Sequence, residues 1–448
     1  MRRMLLLVLL TGAWVVVGLS PGSSHSDPIT PDPIAPVGAS FIAFTPVGTT
    51  TSTTVAPYHA VPDPAVPARV AGAPPDPYPV LVRTLERAML DPRLDGLESG
   101  VSVWVEGDGV VFEHNPGLEL YPASNQKLLT GAGALGLLPA DFRFRTEIVQ
   151  AGDDLVLVAG GDPTLTTADL DELAAQVKAA GITAVPGRLI VDATRYSAHR
   201  TAPGWQDWQM PTYVGPLSVF VVGDNRHRTD EEYLADPDLG NAALLRAALS
   251  EIGVRIAGAT ELGEAPADTV TVAVRESPDR DALVRRLLTS SDNEIAEALV
   301  REIGFRVNGI GTSLGGALAI ERYLEGLGWA ETGQAGDGSG LSRANLRGAA
   351  EWRELMVLAM EQEWWPTFVD SLAVAGRTGT LRARLGGAAT AGIVRAKTGS
   401  IIGGRSLTGI LTDAAGRTVV FSFVVNGSSA GAALPVVDEF VETLARHW

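Results

Sequence analysis

Ser124 and Lys127 stand three residues apart in the run Ser124-Asn125-Gln126-Lys127, where the apolar spacing from Asn125 to Leu138 is helical. Residues three apart on a helix share a face, so the Lys127 amine falls beside the Ser124 hydroxyl. A hydroxyl is a poor nucleophile until a base takes its proton. A lysine held in a dry site beside another cation has its pKa pushed down from about 10.4, and a neutral amine then becomes available near pH 7. Ser124 also falls at a helix start, where backbone N–H groups face a developing oxyanion. Alone the pattern is weak: a capping serine followed by a solvated lysine accounts for it equally well.

Two further runs carry compatible chemistry. Ser291-Asp292-Asn293 lies in the polar turn 289–293 between helical stretches at 282–288 and 294–303. Residues two apart in a turn can point the same way, which offers a hydroxyl to relay a proton and an amide to hold a substrate carbonyl. The same residues can cap the next helix, with Glu294 in its first turn; capping does not oppose catalysis. Lys397-Thr398-Gly399-Ser400 follows the apolar residues 393–396. A lysine on an edge strand offers positive charge to a substrate carboxylate, and Thr398 can hydrogen-bond it. Gly399 admits close approach to the backbone, and the Ser400 N–H is a candidate second oxyanion donor. The plain alternative is a strand-end turn with an exposed lysine.

Composition sharpens these readings. The 448 residues hold only three lysines (Lys127, Lys178 and Lys397) against 32 arginines. Arginine stays protonated in proteins, whereas a buried lysine can become a base. Lysine in an arginine-biased chain therefore points to work that arginine cannot do. Lys178 is the exception, sitting in the polar-faced helical stretch 169–180. The net charge of −17 argues against a nucleic-acid partner. There is no cysteine, which removes disulfides, thiol catalysis and zinc–thiolate sites. The six histidines are scattered without a paired spacing, so a metal site is not expected.

The elements that must position these groups follow from the pattern of apolar runs. Residues 1–20 read as a signal peptide or membrane anchor, with Arg2 and Arg3 ahead of the apolar run 4–19. Residues 21–77 read as a flexible Pro/Ser/Thr-rich linker. Order is expected from Tyr78. A helix is expected over 80–90, a hairpin around Gly107-Asp108-Gly109 and strands over 142–149 and 155–159. Residues 146–279 mix strands, turns and short helices. Strand-like runs at 394–396, 407–411 and 418–425 precede an amphipathic helix from Leu434 to the end.

Ser-x-x-Lys, Ser-Asp-Asn and Lys-Thr-Gly each occur once, in this order, and use two of the three lysines. The set resembles the signature of penicillin-binding proteins and class A β-lactamases. The runs Gly160-Gly161-Asp162-Pro163-Thr164-Leu165, Val191-Asp192-Ala193-Thr194-Arg195-Tyr196, Asp337-Gly338-Ser339-Gly340-Leu341-Ser342-Arg343 and Gly379-Thr380-Leu381-Arg382 narrow this. They resemble the class C low-molecular-mass penicillin-binding proteins, the D-alanyl-D-alanine carboxypeptidase/endopeptidases of the penicillin-binding protein 4 type. The similarity runs from about Tyr78 to the C-terminus. It implies an α+β, penicillin-recognising serine transferase/β-lactamase-like fold: an antiparallel sheet flanked by helices. It also implies an inserted domain, taken as 146–279, between transpeptidase-like parts 78–145 and 280–448. The 167 positions from Ser124 to Ser291 are too many for a compact β-lactamase. Arg377-Thr378-Gly379 departs from the family, which tends to carry Asp before that glycine.

The resemblance implies acyl transfer on peptidoglycan stem peptides, with β-lactams acylating the same serine. It implies Ser124, Lys127 and Ser291 as the catalytic residues, and Asn293, Lys397, Thr398, Gly399 and Ser400 as those that bind substrate. Three other readings stay open. One is a serine β-lactamase, against which no convincing second carboxylate site for deacylation is visible. The second is a non-catalytic cell-envelope scaffold. The third is an α/β-hydrolase using the elbow-like Gly427-Ser428-Ser429-Ala430-Gly431, but the 19 residues after Ser429 are too few to finish that fold.

Overall fold

Strand residues 418–426 set the plan, because their side chains alternate between two cores. Val419, Phe421, Phe423 and Val425 point to one, and Val420 and Val424 to the other. A strand sends successive side chains to opposite faces, so the sheet that contains it must be covered on both sides. The structure, a computed structural model, describes residues 78–210, 212–225, 236–330 and 333–447. The expected export segment at 1–20 and the expected linker at 21–77 lie outside the described residues.

The main sheet is antiparallel, in the order β10 (Ala373–Val374), β11 (Arg395–Ile401), β12 (Gly404–Thr412), β13 (Thr418–Asn426), β1 (Glu98–Val105) and β2 (Gly109–His114). On one face pack α1 (Pro79–Ala88) and α10 (Leu434–His447). Helix α10 buries Val436, Val437, Phe440, Val441 and Leu444, the spacing of one helical stripe. The other face is covered by α2 (Gln126–Leu137), α5 (Arg280–Ser290), α6 (Asn293–Asn308), α7 (Ser313–Gly326), α8 (Ala349–Met360) and α9 (Trp365–Ser371). The α+β expectation of an antiparallel sheet between helices is met. An α/β-hydrolase, which needs a largely parallel sheet, is excluded.

A second sheet runs β8 (Thr260–Leu262), β6 (Leu189–Asp192), β4 (Asp154–Val158), β3 (Arg145–Ala151) and β9 (Val270–Glu276). Its β4–β6 and β6–β8 pairs are parallel. A minor parallel pair joins β5 (Ala184–Val185) to β7 (Arg255–Ile256). Helices α3 (Thr167–Ala179) and α4 (Pro237–Glu251) supply Leu173, Val177, Leu245 and Leu249 to its core. At 13 and 15 residues they are longer than the short helices expected here. Strand β3 begins at Arg145, three residues after the predicted start. Phe142 and Phe144 instead form an edge-on pair at 4.9 Å inside the helical core. Phe144 N–H donates to Ser277 Oγ (2.9 Å) and Arg280 N–H to the Phe142 carbonyl (2.9 Å), so their backbone bonds go to the segment entering α5 and not to a strand ladder.

One buried ion cluster fixes the loop before α8. Arg347 is fully buried; its Nη1 donates to Glu351 (3.0 Å) and its Nη2 to Glu321, and its guanidinium lies 4.7 Å from the Trp329 ring. Its backbone N–H donates to the Leu120 carbonyl (2.9 Å), just ahead of the Ser124 turn. Removing one partner of such a cluster leaves buried charge uncompensated. Arg347→Ala is therefore expected to cost about 3–5 kcal/mol, read as a lower urea midpoint; a loss below about 1 kcal/mol would contradict the assignment.

Candidate active site

The polypeptide reaches Ser124 through a tight turn. Residues Ala123–Asn125 form a 3₁₀ turn that runs directly into α2. Ala123 has φ 50°, a left-handed conformation that alanine enters only under constraint. The constraint is visible on both sides. A Cβ on Gly340 would sit 1.9 Å from the Ala123 carbonyl oxygen, and one on Gly399 would sit 2.6 Å from the Pro122 oxygen. The glycine of the third motif thus already makes room for the protein's own nucleophile turn.

Lys127 follows one helical turn later and is fully buried. Its Nζ donates to Ser124 Oγ (3.1 Å), Asn293 Oδ1 (2.6 Å) and the Ser339 carbonyl (2.5 Å). Burial lowers its pKa to about 8, against the opposing pull of Asp337 and Glu297. Ser291 sits at the end of α5 in a left-handed conformation (φ 64°), and Asp292 caps α6 by accepting from Ile295 N–H (3.0 Å). Capping and site geometry coexist in this turn. Asn293 touches Lys127 through Oδ1 and donates from Nδ2 to the Tyr213 carbonyl (2.8 Å).

The Lys-Thr-Gly motif lies within β11 and not in a turn beyond its end. β10 pairs with Arg395 and Ala396 but with none of 397–401, so the motif occupies the rim of the sheet. The pleat sends Lys397 to the same face as its partner Thr408, toward α2. Lys397 is fully buried, and its Nζ donates to Ser291 Oγ (2.9 Å) and to the Thr398 carbonyl (2.8 Å). Burial, and then the Lys127 charge, hold its pKa well below that of a free lysine. Thr398 Oγ1 donates to Thr380 Oγ1 (2.8 Å), and Ser400 is exposed. Ser124, Lys127 and Asn293 thus form one hydrogen-bonded group, and Lys397 with Ser291 a second.

Several contributors carried no sequence signal as site residues. What Ser339 offers Lys127 is its carbonyl, which any residue could supply. Asp337 is buried and accepts from Gly340 N–H (2.8 Å), Asn345 Nδ2 (2.7 Å), Trp205 Nε1 (2.8 Å), Ser342 N–H (2.8 Å) and Ser339 Oγ (3.0 Å), which fixes the loop that bears Ser339. Gln126 and Thr130 clamp the same loop by donating to the Asp337 and Gly338 carbonyls. Gln209 donates to the Leu341 carbonyl (2.7 Å), and Val214 packs with Ala123, Leu341 and Ile401. Glu297 could have been read from its position four residues after Asn293. The look-alikes fall elsewhere. Arg377 is exposed with its guanidinium over Gly392, and Ser428 and Ser429 lie in the exposed turn after β13. Among the described residues no cluster of three or more acidic or histidine side chains is arranged to hold a metal ion.

The chain is similar to known proteins over most of its length. The sequence profile described as the D-Ala-D-Ala carboxypeptidase 3 (S13) family matches residues 81–233 and 231–447. A D-alanyl-D-alanine carboxypeptidase of an Actinomadura species is 31% identical over 453 residues, spanning 81% of this chain and 84% of that protein. The carboxypeptidase DacB of Mycolicibacterium smegmatis is 32% identical over 399 residues, spanning 83% and 85%. The crystal structure of penicillin binding protein 4 (dacB) from Haemophilus influenzae shares the fold, with a TM-score of 0.74 at 22% identity over 81% of this chain and 98% of that one.

A methyl group on Gly340 must push the Ala123 carbonyl away, and φ +86° at that position adds strain. Gly340→Ala is therefore expected to slow acylation of Ser124 by a reactive thioester about 10²-fold while circular dichroism shows a folded protein. An unchanged rate would show that the turn does not need this contact.

Proposed function

The chain belongs to the D-Ala-D-Ala carboxypeptidase 3 (S13) family, and on that premise we propose how its own residues perform the reaction. The protein is a serine D-alanyl-D-alanine carboxypeptidase/endopeptidase that acts on peptidoglycan stem peptides through an acyl-enzyme. The observation that carries the residue roles is the buried Lys127 amine 3.1 Å from Ser124 Oγ. Lys127 takes the Ser124 proton, and Oγ attacks the carbonyl of the penultimate D-Ala. The oxyanion lies between the backbone N–H groups of Ser124 and Ser400. The C–N bond breaks as the Ser291 hydroxyl gives its proton to the leaving D-Ala nitrogen and recovers one from the Lys127 ammonium, which returns to the neutral base. Lys397, held on the Ser291 hydroxyl, orients that relay and adds positive charge behind the substrate carboxylate.

Thr398 takes that carboxylate at the rim of β11, where the strand edge beyond Ala396 is open to an extended peptide. Asn293 holds the peptide, and Gly399 keeps the nucleophile turn against the strand. Water then hydrolyses the ester. A β-lactam, whose strained amide sits where the D-Ala–D-Ala bond would, acylates the same serine and stays bound. Neither a metal ion nor an organic cofactor takes part.

Action on peptidoglycan places the folded part at the cell envelope. Residues 1–20 serve as the export segment, cleaved or kept as an anchor, and residues 21–77 as the tether. Residues 146–279 form the inserted domain between two transpeptidase-like parts.

Mass spectrometry after treatment with benzylpenicillin tests the roles. One adduct is expected, on Ser124; Ser124→Ala abolishes it, and Lys127→Ala slows it about 10²–10⁴-fold. An adduct on another residue, or none on intact protein, refutes the assignment. The base must be neutral to act, and Lys127 titrates at about 8. Its neutral fraction therefore rises about tenfold between pH 7 and pH 9, and the acylation rate is expected to rise with it. A flat profile would remove Lys127 as the base.

A further inference from the structure

Glu297 stands four residues after Asn293 on α6, on the same helical face, and is 1% exposed. Its Oε1 accepts from the N–H groups of Gly338 (3.1 Å) and Ser339 (2.9 Å), and its Oε2 accepts from Ser313 Oγ (2.6 Å). The carbonyl of that same Ser339 accepts from Lys127 Nζ (2.5 Å). One residue of the loop thus bonds a buried carboxylate through its N–H and the buried amine through its oxygen. A carboxylate costs several kcal/mol to bury, and an amide of the same shape could keep the two loop hydrogen bonds and reverse the one with Ser313. The packing alone does not call for the charge.

We propose that Glu297 is a positioning residue for the base: it pins the Gly338 and Ser339 amides so that the Ser339 carbonyl holds Lys127 Nζ against Ser124, and its charge sets how readily that amine gives up its proton. The inference rests on the reading of Ser124 and Lys127 as nucleophile and base. The other charged groups facing this pair are few. Lys127 meets Asp337 from the loop, Asp292 and Glu294 from the start of α6, and Lys397 from β11. Glu297 meets Asp337, and Arg301 lies one turn further along α6. Asp337 is held by five donors, Glu297 by three. Burial, and then the Asp337 charge, raise Glu297 above the usual carboxylate range. Ionised, it favours the Lys127 ammonium; protonated, it leaves the amine freer to release its proton.

Glu297→Gln separates the two roles. The amide oxygen can still accept from both loop N–H groups and the amide nitrogen can donate to Ser313, so the pin survives and the charge is lost. The rising limb of the penicillin-acylation rate against pH is expected to move about one unit toward lower pH, with its plateau near wild type. Glu297→Ala loses the pin as well, and its plateau is expected to fall about 10²-fold. Glu302→Gln is the control. This second buried α6 carboxylate binds Arg195, Arg306 and Tyr196, away from the loop; it is expected to lower the melting temperature and leave the limb in place.

An unmoved limb in folded Glu297→Gln overturns the proposal. Should that variant not fold, Ser313→Ala replaces it. Losing that donor destabilises the ionised carboxylate, so Glu297 holds its proton to higher pH and the limb again shifts down; an unmoved limb there is equally fatal. Failure of the underlying reading shows differently, as wild-type protein that carries no penicillin on Ser124.

Discussion

The site depends on two lysine amines buried to zero exposure and held by neutral oxygens alone. Lys127 donates to a hydroxyl, an amide oxygen and a carbonyl; Lys397 donates to a hydroxyl and a carbonyl. Among the described residues neither forms an ion pair. A dry pocket penalises the ammonium form, and neutral acceptors do not repay the loss of water as carboxylates would. Both amines therefore hold their protons less firmly than a free lysine does. The carboxylates that do face Lys127 stand one residue further back, where they limit the shift without cancelling it.

Holding amines in that condition is a task for the whole fold. The acceptors come from four separate places: the start of α2, the α5–α6 turn, the loop at 337–343 and strand β11. Each is fixed independently. The helical core sets α2 against α5, α6 and α7. The five donors on Asp337 shape the loop. The β12–β13 ladder sets β11, and the inner face of that sheet continues the polar contact, since Asn125 Nδ2 donates to Thr408 Oγ1 (2.6 Å), itself 2.9 Å from Ser422 Oγ. Trp205 and Gln209, which follow the second sheet's β6 in the chain, brace the loop by donating to Asp337 and to the Leu341 carbonyl. Gly340 and Gly399 then allow backbones to meet where any Cβ would collide.

The sequence made the chemistry more legible than the architecture. Three helical positions joined Ser124 to Lys127, and rare lysine types singled out Lys397. Strands with clear alternation, such as β13, and the stripe of α10 were equally visible. What was hidden depends on distance in the chain. Nothing local states that β13 lies between β12 and β1, or that Phe142 and Phe144 spend their backbone bonds on the segment entering α5. Trp205, Gln209 and Tyr213 lie in an irregular stretch without periodicity. Tyr213 and Ser339 contribute carbonyls, to which their side-chain identity is irrelevant. Glu297 was the one readable omission, masked because a glutamate on a helix is ordinarily solvated.

The same chain contains the comparison that explains its lysines. Arg301, on α6, is 2% exposed, and its guanidinium donates to the carbonyls of Ser218 and Ser197 (2.9 Å each). These are neutral acceptors, as around Lys127. Burial lowers Arg301 only to about 10, so it stays a cation at neutral pH. An environment of one kind thus leaves arginine charged and brings lysine to about 8. Burial moves the two groups down by a similar amount, so it is the higher starting pKa of the guanidinium that keeps Arg301 charged. In a chain that uses arginine for 32 of its 35 basic positions, arginine at 127 would keep its own proton at neutral pH. It could not take the proton from Ser124.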